Sequence, residues 1–176
     1  MGTEVKQKEN VKKQIIDFAI QGVGNFLKEN PNLEFYAFAF DCNAEDAGVS
    51  LSLNTKLDFQ KTLKDYQKKY PESYQSEEKI NKLKFNTGNW EYLCFDTLEA
   101  LTNEELQEKF DELPDDDYKS WNEFVNNLLE LFTESLVEFT KTETFKKIPK
   151  SKDFIAFCID HDEDFGEAIE RVSKYS

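Results

Sequence analysis

Phe35-Tyr36-Ala37-Phe38-Ala39-Phe40-Asp41-Cys42 is apolar on both faces before it reaches its first charge. A strand that shows no polar alternation has both sides covered, so this run is read as a central strand. Asp41 to Gly48 forms a polar turn, and Val49-Ser50-Leu51-Ser52-Leu53-Asn54 then alternates strictly, as a half-buried strand does. The two are expected to pair as an antiparallel hairpin. Phe154-Ile155-Ala156-Phe157-Cys158-Ile159-Asp160-His161 repeats the pattern, aromatic-x-Ala-Phe-x-apolar-Asp, followed again by acids. It is read as a second central strand. The plain account of the echo is similar packing around two strands that end in polar loops. If the two strands are parallel neighbours, their acidic ends share one edge of the sheet. That edge would carry Asp41, Glu45, Asp46, Asp160, Asp162, Glu163 and Asp164.

Working outward, Val11, Ile15, Phe18, Ala19 and Phe26 make a helical stripe over about residues 9–28, which Gly22 and Gly24 weaken and Asn30-Pro31 ends. Thr55 and Asp58 stand at capping-box spacing before a helix bearing Phe59, Leu63, Tyr66 and Tyr70. Residues 72–84 suit a short helix or loop, 91–95 a third strand, and 98–110 a short helix. Asp115-Asp116-Asp117 opens the longest helix, where three acids complement the dipole without needing a metal. Its stripe is Tyr118, Trp121, Val125, Leu128, Phe132, Leu136 and Phe139, and a last amphipathic helix uses Phe165, Ala168, Ile169 and Val172. This order lacks regular βαβ alternation. The expectation is one α+β domain over residues 1–176, with a mixed, largely antiparallel sheet of about four to six strands flanked by helices.

Hydrophobic residues make up 39% of the 176, with 16 phenylalanines, which is too apolar for a disordered chain. The formal charge of −14 opposes binding to nucleic-acid phosphates and to anionic membranes. No apolar leader follows MGTEVKQKEN and no run is long enough to span a bilayer, so a cytoplasmic location is expected. Cys42, Cys94 and Cys158 show no CxxC spacing and are read as reduced, mostly buried thiols. The charge is uneven. Residues 96–117 hold ten acids and one lysine, and residues 153–170 hold seven acids and no base. Residues 141–152 are net +4.

For chemistry, Asp160-His161-Asp162 offers metal ligands, but adjacent residues on an extended strand point to opposite sides and form no cage. His161 is the only histidine, and no P-loop, GxGxxG, GxSxG or HExxH is present. No cofactor or metal is therefore expected, and binding is preferred to catalysis. Concentrated acidity steers a basic partner. The candidate partner-binding residues are Asp41, Glu45, Asp46, Trp90, Asp115, Asp116, Asp117, Asp160, Asp162, Glu163 and Asp164, with Trp90 read as a surface anchor after a turn. The alternative is a small-molecule or metal site, perhaps enzymatic, at the strand ends near Asp41 and Asp160.

FYAFAFDC (35–42), SLNT (52–55) and FNTGNWEY (85–92) together resemble an uncharacterised bacterial family catalogued as a domain of unknown function. Asn89 departs from that family's pattern, which has Asp before the tryptophan. The resemblance extends to groups that include immunity proteins, and it implies neutralisation of a basic toxin by occlusion of its surface. It carries over no catalytic residue.

Overall fold

The computed structural model describes residues 2–113 and 118–176, with side chains from Lys6 onward. Four strands, β1 (Phe35–Asn43), β2 (Gly48–Thr55), β3 (Tyr92–Glu99) and β4 (Lys150–Asp160), form one sheet in the order β3-β2-β1-β4. β1 pairs antiparallel with β2 and parallel with β4, and β2 pairs antiparallel with β3. The helices are α1 (Gly2–Glu29), α2 (Lys56–Lys69), α3 (Glu77–Lys84), α4 (Asn103–Asp111), α5 (Tyr118–Thr140), α6 (Glu143–Lys146) and α7 (Phe165–Ser173). The fold is α+β with a mixed, largely antiparallel sheet, as the pattern of runs predicts.

β1 is central, and Phe35 to Phe40 are wholly buried. Phe38, Phe40 and Cys42 face a core closed by α1 and α5, with Phe139 5.5 Å from the Phe38 ring. Ala39 faces the other side with Trp90, Phe157 and Ala168. The register slips between Phe35 and Ala37, so Tyr36 and Ala37 both turn to this second face. There the Tyr36 hydroxyl donates to the Lys84 carbonyl (2.6 Å) and accepts from Asn54 Nδ2 (3.2 Å). The Trp90 indole donates to the same carbonyl at 2.9 Å. This shared acceptor fixes the end of α3 to the sheet, and burial pushes the Tyr36 phenol up.

β4 differs from its reading as a second central strand: it is the edge strand beside β1. It reads as apolar because helices cover both its faces, and face burial says nothing about hydrogen-bonding neighbours. Five residues of β4 span what two of β1 span near Phe35 and Ala37. The excess places Asp153 within 2.5 Å of Lys56 and 3.3 Å of Lys84, tying the starts of α2 and the end of α3 to the sheet edge.

α1 begins earlier than its apolar stripe indicates, at Gly2. Gly22 is a contact glycine: a Cβ there would lie 2.6 Å from Leu51 Cδ1 and 2.8 Å from Asp96 Oδ2. Thr55 caps α2 as its spacing with Asp58 predicts, accepting from the Asp58 amide at 3.1 Å.

Candidate functional site

β1, β3 and β4 all end at the same edge of the sheet. The register puts Asn43 beside Gly48, Gly48 beside Glu99, and Cys42 beside Asp160. The turn after β1, the start of α4 and the loop from β4 to α7 therefore share one end of the molecule. Phe110 on α4 meets Trp121 on α5, so the start of α5 lies there too. The two strand ends that echo each other in sequence are thus brought together, as the parallel arrangement requires. Glu99, the last residue of β3, and the first-turn acids of α4, which follows it, join them, whereas Asp96 lies back along β3 against Gly22 of α1. The lysines of residues 141–152 lie toward the start of β4, whose eleven residues separate the two ends by about 33 Å.

The acids at this end divide by what they touch. Asp160 accepts from the Ala44 amide at 2.9 Å and locks the β1–β2 turn to the end of β4. Glu163 grips the guanidinium of Arg171, the only arginine of the chain, with both carboxylate oxygens, and Oε2 accepts from the Asp160 amide at 3.1 Å. Arg171 is 8% exposed and also donates to Thr133 Oγ1 (2.8 Å) and the Cys158 carbonyl (2.9 Å). Both residues therefore hold α7 and α5 on β4. Asp164 caps α7 through the Gly166 amide (2.8 Å), and Asp46 accepts from Asn43 Nδ2 (2.6 Å). Glu45, Asp46, Asp162 and Asp164 all face solvent. Among the described residues none of these four makes an ion pair, whereas Lys8 and Lys12 meet Glu134, Lys56 and Lys84 meet Asp153, and Lys141 meets Glu138.

Asp41 lies half-buried on the second face, with Thr87 beside it. Burial pushes its carboxyl above the ordinary aspartate value, against the opposing pull of Thr87 and His161. Beside it opens a cleft of about 240 Å³ whose lining includes Asn86, Thr87, Asp160, His161, Asp164 and Phe165. The NTGN turn of residues 86–89 thus meets the end of β4. Among the described residues no group of three or more His, Cys, Asp or Glu is placed to hold a metal ion. Cys42 and Cys158 lie with sulfurs 3.6 Å apart inside the core, where burial pushes the Cys42 thiol far up and opposes nucleophilic use. Cys94 is exposed, unlike the other two.

Trp90 is placed differently from its reading as a surface anchor. It is 5% exposed, edge-on to Tyr36 and Phe157, and belongs to the core of the second face. A turn residue followed by Trp signals a change of direction, and here the chain turns inward. Asp115, Asp116 and Asp117 lie outside the described residues. Arg171 is visible in the sequence only as one arginine against many lysines, a signal because a bidentate buried pair needs the planar fork. Tyr118 lies on the apolar stripe of α5 by its spacing but is 80% exposed.

The described residues form an α+β fold with exposed acids at the ends of β1 and β4. A family model described as domain of unknown function (DUF4303) matches residues 15–174, and the chain belongs to that family. No curated protein matches the chain. No solved structure matches it. No described helix is long and apolar enough to cross a membrane.

Proposed function

We propose that this chain is a protein-binding module that presents its acidic end to a basic surface of a partner. The observation that carries the reading is the set of exposed acids Glu45, Asp46, Asp162 and Asp164, gathered at one end and lacking lysine partners among the described residues. Uncompensated charge on one side of a small protein speeds encounter with an opposite surface and selects against acidic ones. In the setting that the family resemblance implies, the partner is a bacterial toxin, and binding covers its surface without chemistry.

The test is co-purification with the product of the neighbouring gene at about 0.1 M and about 1 M salt, where the Debye length falls from about 10 Å to about 3 Å. The wild-type chain retains the partner at low salt and releases it at high salt. A chain carrying Glu45→Lys, Asp46→Lys and Asp162→Lys fails at both. Retention that ignores salt and the three reversals sinks the reading. A second reading, small-molecule binding in the cleft beside Asp160 and His161, is favoured by the carboxyl of Asp41, which burial holds toward its neutral form. A ligand-induced rise in melting temperature that His161→Ala abolishes would identify it.

A further inference from the structure

Two helices carry apolar stripes past the end of the core. On α4, Leu106 is buried, but Phe110, one turn further on the same face, is 55% exposed. On α5 the stripe is buried from Leu128 onward, half-buried at Trp121 and Val125, and 80% exposed at Tyr118. The stripes meet where the Phe110 ring stands edge-on to Trp121, with centroids 5.6 Å apart. Among the described residues no third surface buries these exposed aromatics that continue a buried stripe, and clustered Trp, Tyr and Phe are what interface centres favour. The surrounding charge is mostly acidic: Glu104, Glu105, Glu108 and Asp111 are exposed on α4, against Lys109, which is paired with Glu112, and Lys119 beside Tyr118 on α5.

We infer that these overhanging stripes seat a basic amphipathic helix of the partner, an inference that rests on the reading of the acidic end as a binding surface. The apolar side of that helix lies on Phe110, Tyr118 and Trp121, and its lysines or arginines face the acids of α4. Charge complementarity selects a basic segment over an acidic one. The apolar strip that Phe110, Trp121 and Tyr118 continue from the core suits the anchors of a third helix, which recur at three- and four-residue spacing.

The test uses the full chain and a synthetic lysine/leucine amphipathic helical peptide, with a scrambled peptide of equal composition as its control. Trp121 reports contact by a fluorescence shift, while Trp90, 5% exposed, stays constant. The amphipathic peptide binds at least about tenfold more tightly than the scrambled one, and Phe110→Ser with Tyr118→Ser removes at least about tenfold of that affinity. Both positions are more than half exposed, so the double variant still folds, with only the small fall in melting temperature that loss of the Phe110–Trp121 ring contact brings. Equal affinity for the two peptides, indifference to the double variant, or no binding of the amphipathic peptide overturns the helix seat. None of these touches the acidic-end reading, which fails separately if partner capture ignores salt and the reversals at Glu45, Asp46 and Asp162.

Discussion

Glu163 and Asp162 are neighbours in sequence with identical charge, yet only the replacement of Glu163 is costly. In Glu163→Gln the carboxylate that grips Arg171 becomes an amide, whose NH₂ now faces a guanidinium and whose single oxygen must serve both Arg171 and the Asp160 amide. The side chains of the pair are only 9% and 11% exposed, so water does not replace what is lost. Removing one partner of a buried pair costs about 3–5 kcal/mol. The lower end applies, because Thr133 Oγ1 and the Cys158 carbonyl still receive two of the guanidinium's donors. A loss of about 3 kcal/mol lowers the melting temperature by about 6–12 °C for a chain of this size. Urea unfolding followed by tryptophan fluorescence measures it directly, since Trp90 reports the core. Asp162→Asn serves as the control, changing stability by less than about 0.5 kcal/mol, as exposed surface changes do. A Glu163→Gln variant within about 1 kcal/mol of the parent would falsify the assignment of Glu163 to the scaffold and return it to the binding surface.

Gly22 and Gly24 of α1 respond oppositely: Gly24→Ala meets no atom within 4 Å and gains about 0.5–1 kcal/mol, while Gly22→Val presses on Leu51 and Asp96 and loses about 1–3 kcal/mol, both read by thermal melting. Tyr36→Phe removes the donor to the Lys84 carbonyl and strands Asn54 Nδ2, for a loss of about 1–3 kcal/mol in chemical denaturation. Asp41 is raised by burial, so its ionisation weakens the fold; stability is full below the unfolded value near 3.9 and falls as pH rises through the higher folded value. Asp41→Asn is therefore more stable than the parent at neutral pH and equal to it in acid. Asp153 is held low by Lys56, Ser151 and Lys84, so its contribution is present above about pH 4 and is lost as pH falls below it. At 47% exposure the contribution stays under about 1 kcal/mol, and the gap between parent and Asp153→Asn at pH 7 closes in acid melts.

The sequence alone determined the elements whose residues act on their near neighbours. The hairpin of residues 35–55, the Thr55 cap, the long stripe of α5 and the acidity of two separate blocks are local patterns, set by a period of two, a period of 3.6 and composition. Which strands lie side by side is a question of distant pairing, and only the tertiary structure placed β4 parallel to β1 at the sheet edge. That one adjacency gathers Glu45, Asp46, Asp162 and Asp164 at one end. It also removes Glu163 and Asp160 from the list of free acids, because Arg171 and the Ala44 amide reach them only in the fold. Trp90 shows the same division: its ring and its turn are legible in the chain, but the side it faces depends on Tyr36 and Phe157, which are far from it in sequence. Charge is additive along a chain, whereas an interacting surface is a matter of distance in space.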